Sequence, residues 1–254
     1  MLTVKELKPY ALLYFLGFIG ILSVLPLIPQ LLAASPEKPP MSVGAIQAIS
    51  VLQSSVLLLL MVLLGAVCAK KVGLTTPVIL AVVNSTPAVK ALKPQILPAI
   101  LGGIAGGIFI LTFYKGMSPY LPAEFIIAGE KMVPPWYTKI LYGGITEEIL
   151  IRWGFMSFFV WAIYRITQQK NTEIKNYNFI LAIIVSSLIF AVLHLPVAFS
   201  LSQKVAPILI FYILIGNSVF GLIAGYLYWK RGLECAIGSH MIAHITMIMV
   251  GSIV

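Results

Sequence analysis

The chain has 254 residues, of which 60% are hydrophobic and only 10% are charged, and its formal net charge is +9. This composition is typical of polytopic membrane proteins and predicts an all-α transmembrane helical bundle in a single membrane domain. The basic residues stand singly or in pairs at the ends of apolar runs, a pattern that marks topology and excludes a nucleic-acid partner. The chain contains no aspartate, which excludes an aspartyl intramembrane protease.

Seven apolar runs are near or above the ~20 residues that cross a bilayer. The predicted spans are 10–33, 44–69, 96–114, 135–164, 178–197, 206–229 and 233–253. By these bounds the third span is the shortest. The first is interpreted as a retained span rather than a signal peptide, because its apolar stretch exceeds a signal-peptide core and contains Pro26 and Pro29.

Two proline-containing connections and several glycines also predict structure. Segment 75–94 is predicted to lie at the membrane interface, and segment 116–134 to form the longest external loop, a candidate cover over a site. Small-xxx-small patterns predict close helix packing at Gly102, Gly103, Gly106, Gly107, Gly221 and Gly225. Cys68 and Cys235 are interpreted as structural thiols rather than a disulfide pair.

The basic residues also predict the orientation. With the N-terminus in the cytoplasm, eleven of them fall inside and five outside, as the positive-inside rule favours. The inside set is Lys5, Lys8, Lys70, Lys71, Lys90, Lys93, Arg165, Lys170, Lys175, Lys230 and Arg231. The outside set is Lys38, Lys115, Lys131, Lys139 and Lys204.

The most informative residues are ionisable groups within the apolar runs. Glu147, Glu148 and Arg152 lie in the fourth span, where each charge costs about 2.5–3.5 kcal/mol at the bilayer centre unless it is compensated. The three histidines of the chain, His194, His240 and His244, also lie in or at the edge of apolar runs. Packing alone explains such a set poorly, so these six residues form the candidate functional site.

Their spacing predicts geometry. Glu148 and Arg152 are four residues apart with the acid first, the favourable order for a helical ion pair. Glu147 is rotated by about 100° from Glu148 and can face the helices that carry the histidines. His240 and His244 share one helix face, a spacing that also suits two metal-binding histidines.

The motifs Glu-Glu-x-x-x-Arg, Phe-x-x-x-His and a third-motif His resemble those of the CPBP family, the CAAX-protease-and-bacteriocin-processing or Abi family of intramembrane endopeptidases. Here they run from Glu147 to Arg152, from Phe190 to His194, and from His240, which follows GLECAIGS. The resemblance covers roughly 135–254, which would hold the catalytic helices, whereas 1–134 would supply three spans and their loops. One departure is His244, where the family usually has asparagine.

The resemblance implies a mechanism. Glu147 with His194 would activate a water molecule against a peptide carbonyl, and His240 and His244 would stabilise the oxyanion. Glu148 and Arg152 would orient these groups or contact a substrate carboxylate. A metal-assisted version with zinc would use Glu147, His194 and His240 as ligands. By the predicted spans, His194 and His240 lie at different depths, so their helices must tilt, kink or begin elsewhere to bring them together.

Substrates are expected to be membrane-associated, lipidated or hydrophobic proteins or peptides, processed in a prokaryotic plasma or inner membrane. Two other functions remain open. One is an inactive CPBP-type scaffold or bacteriocin-immunity protein, which the histidine at position 244 would favour. The other is a proton-coupled transporter, because Glu, His and Arg clusters also make proton relays; the absence of a two-fold internal repeat in the sequence argues against it.

Overall fold

The computed structural model describes residues 4–34, 41–132, 134–168, 172–202 and 206–251. Within these ranges every regular element is helical. Six helices are long and apolar enough to cross a membrane, and a pair bent by 42°, Leu7–Ser23 with Leu27–Ala33, can supply a seventh span. The predicted polytopic helical bundle is therefore confirmed. The predicted end of the last span at 252–253 and three lysines of the orientation argument, Lys38, Lys170 and Lys204, lie outside the described residues.

The helices follow one another with short connections. In chain order they are α1 (Val4–Ser23), α2 (Leu27–Ala34), α3 (Val43–Val72), α4 (Pro77–Val83), α5 (Ala88–Met117), α6 (Ala123–Lys131), α7 (Trp136–Thr138), α8 (Ser157–Thr167), α9 (Asn176–Val192), α10 (Leu195–Ser200), α11 (Pro207–Arg231) and α12 (Leu233–Gly251). Two π-helical segments, Lys139–Glu147 and Ile149–Met156, join α7 to α8. We call the continuous rod Trp136–Thr167 the central helix.

The third span differs from its prediction. It begins at Ala88 rather than 96 and continues into a 3-10 turn, so that the apolar helix Ala88–Tyr120 has 33 residues and is not the shortest span. The prediction was wrong because Pro77, Pro87 and Pro94 suggested that the chain before residue 96 is irregular, although Pro94 lies inside α5. Membrane helices tolerate proline where neighbouring groups satisfy the freed carbonyls. Within 75–94, α4 has only seven residues and cannot cross a bilayer. Residues 88–94 belong to α5, so the prediction that they lie at the interface was wrong.

The small residues form the predicted close helix contacts. A Cβ atom on Gly103 would lie 2.6 Å from the Ser239 carbonyl oxygen, which shows that α5 and α12 approach at backbone distance. A Cβ atom on Gly221 would lie 2.8 Å from Ser187 Cβ, so α11 and α9 pack equally closely. Cys68 and Cys235 are free and buried, as predicted. These contacts hold the helices that carry the histidines against α5 and α11.

The central helix is anchored on both sides by side-chain hydrogen bonds to neighbouring backbones. Thr146 Oγ1 donates to the Gly17 carbonyl oxygen of α1 at 2.8 Å, and Trp153 Nε1 donates to the Val62 carbonyl oxygen of α3 at 3.1 Å. Both donors are buried. Because these bonds bracket Glu147 to Arg152, they fix the rotation and depth of the helix that carries the acidic pair.

The fifth span breaks at the histidine. Helix α9 ends at Val192, His194 lies in the following turn, and α10 starts at Leu195. Pro196 has no N–H to donate to the Val192 carbonyl oxygen, so the α-helical ladder cannot run straight through this point. Asn176–Ser200 nevertheless counts as one candidate span of 25 residues, with His194 near its C-terminal end.

Candidate active site

Glu148 is fully buried between two cationic or hydrogen-bonding partners. Its Oε2 atom lies 3.2 Å from Arg152 Nε, and both side chains have 0% exposure. Its Oε1 atom accepts a 2.7 Å hydrogen bond from His240 Nδ1. The structure thus contains the predicted ion pair and adds a contact that the spacing did not predict, since Glu148 also holds the histidine of α12.

Arg152 makes two further contacts besides Glu148. Its Nη2 donates to the Gly221 carbonyl oxygen at 3.2 Å, and its guanidinium lies 4.8 Å from the centre of the Phe190 ring. Phe190 in turn packs edge-on against His194 at 4.6 Å. A buried charge with a carboxylate, a carbonyl and an aromatic face as neighbours is compensated on several sides. Arg152 therefore links the central helix to α9 and α11 beneath the histidines.

A cavity of about 320 Å³ lies beside this buried group. Its lining includes the ionisable side chains Glu147, His194, His240, His244 and Lys139. Glu148 and Arg152 do not line it, so the two adjacent glutamates face different surroundings, as the helical rotation predicted. Glu147 is 19% exposed, with Oε2 4.0 Å from His240 Nε2. The structure brings four of the six predicted residues to one cavity and places the other two directly behind it.

The hydrogen bond of His194 fixes its tautomer. Nδ1 lies 2.8 Å from the Phe190 carbonyl oxygen, and because a carbonyl only accepts, Nδ1 carries the proton. In the neutral ring, Nε2 is then left with a lone pair. His194 can therefore accept a hydrogen bond from a water molecule or a reacting group in the cavity.

The rings of His240 and His244 stack with their centres 4.9 Å apart and 15° between their planes. Room for the larger imidazole at position 244 comes from the central helix, because a Cβ atom on Gly143 would lie only 2.5 Å from His244 Nε2. His244 Nδ1 is buried and has no hydrogen-bond partner among the described residues. A histidine in place of the family's asparagine is thus accommodated by a glycine on the facing helix.

The metal-assisted alternative requires three ligands that converge on one point. Among the described residues, no group of three His, Cys, Asp or Glu side chains is arranged to hold a metal ion. Nδ1 of His194 is bonded to a backbone carbonyl and Nδ1 of His240 to Glu148, which leaves both Nε2 atoms available, and metal-ligating histidines commonly make the same bonds. Zinc bonds to nitrogen and oxygen are about 2 Å long and require convergent donors. As placed, Glu147, His194 and His240 do not form such a set, and metal assistance stays a prediction.

Sequence reasoning missed several residues of the cavity. Ile110 and Phe113 of α5 line it, so the first three spans contribute more than generic membrane character. Asn217 and Tyr212 of α11 also line it, and a lone asparagine in an apolar span was a usable signal. Segment 116–134 was predicted to cover the site. Pro134 of this segment lines the cavity, whereas no residue of α6 is among the described lining residues. The π-helical form of the central helix had no sequence signal, although such turns frequently occur at functional sites.

Comparison with known proteins agrees with this geometry. Residues 130–246 match the family model described as type II CAAX prenyl endopeptidase Rce1-like. No curated protein and no solved structure shows significant similarity to the chain. The matched region contains all six residues of the predicted site, with the central helix, α9 and the part of α12 that carries His240 and His244. The match covers 117 of the 254 residues and supports the CPBP/CAAX-protease family for the region that carries the candidate site.

Proposed function

We propose that this protein is a glutamate-dependent intramembrane endopeptidase that hydrolyses a peptide bond of a membrane-associated, lipidated or hydrophobic substrate. The observation that carries the proposal is the convergence of Glu147, His194, His240 and His244 on one cavity within the helical bundle. A carboxylate and an imidazole at the same cavity are the groups that activate water for acyl transfer. A protease family match over the same helices supports this chemistry.

In the proposed reaction, Glu147 and His194 hold the attacking water. The water donates one hydrogen bond to His194 Nε2, which is available because Nδ1 donates to the Phe190 carbonyl. Glu147 takes the other proton as the water oxygen bonds to the carbonyl carbon of the peptide. The same carboxyl group then returns that proton to the leaving amine when the C–N bond breaks. General acid–base catalysis of this kind contributes about 10²- to 10⁴-fold.

His240 and His244 are proposed to stabilise the oxyanion. His240 Nδ1 already donates to Glu148, so His240 can donate to an oxyanion only from a protonated Nε2. The resulting imidazolium is stabilised by the Glu148 carboxylate, which Arg152 holds in place. Glu148 and Arg152 therefore act as positioning residues. His244 contributes a second donor from the same face of α12. Removal of one such donor typically costs about 2.7–4 kcal/mol of transition-state stabilisation.

The position of the cavity also indicates the side of the membrane from which substrate enters. Its outer lining comes from helix ends that share one side of the bundle, such as Phe113 near the end of α5, Lys139 at the start of the central helix and Met247 near the end of α12. The basic ends of α3, α8 and α11 lie at the opposite side. Because positive charge favours the cytoplasmic side, we propose that the N-terminus is cytoplasmic and the cavity mouth external.

The deciding experiment compares peptide termini in membranes of cells that express the wild-type protein or Glu147→Gln. We expect cleavage products with the wild type that fall at least 100-fold with Glu147→Gln, since the amide cannot accept the water's proton. Glu173→Gln is the matched control, because it makes the same change at an exposed position on the far side of the bundle. Equal amounts of inserted protein must be confirmed for each variant.

The same experiment separates the alternative functions. Identical termini for the wild type and Glu147→Gln would contradict the proposal and favour the inactive scaffold or immunity protein. The histidine at position 244 is the observation that keeps that alternative open, although Gly143 leaves room for it. A transporter would instead show substrate-driven proton flux in vesicles without any new peptide termini.

A further inference from the structure

A second cavity, of about 660 Å³, lies where α3 ends, on the side of the bundle away from the mouth of the active-site cavity. It is enclosed by α1, α3, the short helix α4 and the central helix, and it has no described lining residue in common with the active-site cavity. The proposed reaction uses none of the groups that line it. A cavity of this size can hold a small molecule or part of a lipid.

Two lysines give this second cavity a positive rim. Lys70 and Lys71, in the last turn of α3, are exposed and line it, and no acidic residue is among its described lining residues. The ion pairs that the described side chains form involve neither lysine. Lys71 Nζ lies 5.4 Å from the centre of the Trp161 ring, and this contact leaves N–H groups of the ammonium free to donate. The rim therefore favours a negatively charged ligand.

A hydroxyl group without a partner also lines the second cavity. Thr76 is only 3% exposed, and its side chain forms no hydrogen bond within the described residues, not even as a cap of α4. Buried polar side chains are normally hydrogen-bonded, so this hydroxyl is free to donate to a ligand. Gly73 turns the chain between the lysines and Thr76, and a Cβ atom there would meet no heavy atom within 4 Å. Ammonium and hydroxyl groups at one open turn are suitable donors to phosphate oxygens.

The apolar wall of the second cavity continues into the lipid-facing surface of α3. Val67 lines the cavity and is 56% exposed, and Leu63 and Leu60, one and two turns before it, are 49% and 54% exposed. Lys70 follows Val67 by three residues and therefore lies on the same face of the helix. A cation at the end of an apolar surface suits a ligand that has both a charged group and a hydrocarbon chain. A free inorganic anion would contact only the lysine end.

We infer that the second cavity binds an anionic phospholipid, whose headgroup phosphate is held by Lys70, Lys71 and Thr76 and whose acyl chain lies along α3. On the proposed orientation the cavity is at the cytoplasmic leaflet, where basic cavities between membrane helices bind anionic headgroups. Trp153 of the central helix lines the cavity, so the lipid contacts the helix that carries the acidic pair. The inference goes beyond the proposed function and does not depend on it, because none of the proposed catalytic residues lines this cavity.

The simpler alternative is that Lys70 and Lys71 only mark the topology of α3. Lysines at a helix end attract anionic lipids through the surface charge that they create, without a defined site. In that case any pair of cations at the same side of the membrane has the same effect, and the Thr76 hydroxyl has none. The two explanations therefore differ in what they predict for matched variants.

The test measures the affinity of the purified full-length protein for single lipids by native mass spectrometry in neutral detergent. Dioleoyl phosphatidylglycerol is compared with dioleoyl phosphatidylcholine, whose choline cation cancels the phosphate charge. We expect the wild type to bind phosphatidylglycerol at least about tenfold more tightly, because two lysines lie at the headgroup. Lys70→Gln combined with Lys71→Gln should abolish that difference. Thr76→Val keeps the shape of the side chain and should lower the affinity for phosphatidylglycerol by about fivefold or more, because a hydrogen bond to a charged group is lost.

Lys230→Gln combined with Arg231→Gln is the matched control. It removes two adjacent cations from the last turn of α11, at the same side of the bundle and outside the described cavity lining, and should keep the lipid preference. Equal affinity of the wild type for the two lipids would overturn the inference. Equal losses in the two double variants, or an unchanged affinity in Thr76→Val, would overturn it as well.

A separate measurement distinguishes a lipid from a free anion. Binding of radiolabelled inorganic phosphate to the delipidated protein is measured by equilibrium dialysis, and we expect none. Phosphate binding that is lost when Lys70 and Lys71 are replaced would identify a free anion as the ligand and would overturn the assignment of a lipid. None of these measurements involves cleavage, so failure of this inference is distinguished from failure of the proposed function.

Discussion

The fit between Gly143 and His244 can be tested by a double-mutant cycle. An alanine Cβ at position 143 would lie 2.5 Å from His244 Nε2, 3.2 Å from Cδ2 and 3.6 Å from Cε1, and these are its three nearest atoms. Separations under 3.0 Å essentially do not occur for real Cβ atoms, so the ring must move by at least about 0.5 Å. One face of that ring stacks on His240, which restricts the directions in which it can move.

The expected strain is about 1–3 kcal/mol, the usual cost of adding a methyl group to a packed site. His244→Asn removes Nε2 and Cε1, so that at most a contact like that of Cδ2 remains. Alanine also favours helix over glycine by up to about 1 kcal/mol, but this contribution is the same with either residue at position 244. The coupling energy between Gly143→Ala and His244→Asn therefore equals the relieved strain, and we expect about 1–3 kcal/mol.

The measurement is the free energy of unfolding of the purified protein, titrated with SDS in mixed micelles, for the wild type, both single variants and the double variant. Gly144→Ala is the control, because its nearest neighbour is Met241 Cγ at 2.5 Å and His244→Asn does not relieve that contact. Its cost should be equal in both backgrounds. Additivity of Gly143→Ala and His244→Asn within about 0.5 kcal/mol would refute the claim that the glycine makes room for the imidazole.

Two further predictions concern the buried charges and the orientation. Arg152→Met should lower the free energy of unfolding by about 3–5 kcal/mol, because it leaves the fully buried Glu148 without its cation. The exposed Arg165→Met on the same helix should change it by less than about 0.5 kcal/mol, and equal effects would contradict the assigned ion pair. Alkaline phosphatase fused after residue 254 should be active, since α12 ends on the proposed external side. If the phosphatase fusion were inactive, and a reporter that fluoresces only in the cytoplasm were fluorescent when fused at the same point, the assigned orientation would be reversed.

Much of the fold could be predicted because the bilayer restricts backbone structure. Every span must satisfy its own hydrogen bonds, so apolar length and the position of charges were enough to locate the helices. The third span shows the limit of that argument. Pro94 and Pro98 have the same effect on a sequence pattern whether neighbouring groups satisfy the freed carbonyls or not, and only the packed bundle distinguishes the two cases.

The sequence predicted that six ionisable residues lie together, but of their contacts it predicted only the one within the central helix. Local spacing predicted the ion pair of Glu148 and Arg152, since both lie on one helix. The bond from His240 to Glu148 joins residues 92 positions apart, and it depends on how α12 packs against the central helix. Lys139 was interpreted only as a topological signal, because its place in the cavity depends on the ends of α5, α11 and α12.

Glu148 contacts both Arg152 and His240, and this explains how a span with three charged residues can serve the proposed reaction. Arg152 and Glu148 compensate each other. In the proposed reaction Glu147 and His240, whose Oε2 and Nε2 atoms lie 4.0 Å apart, form a second pair once His240 is protonated. In the proposed step, Glu147 gains a proton as the oxyanion forms, so the negative charge moves from the carboxylate to the reacting oxygen. It remains beside the same imidazolium, and the number of charges in the cavity does not change. A preorganised site of this kind requires little rearrangement of its dipoles during the reaction, and this lowers the barrier where no bulk water can respond.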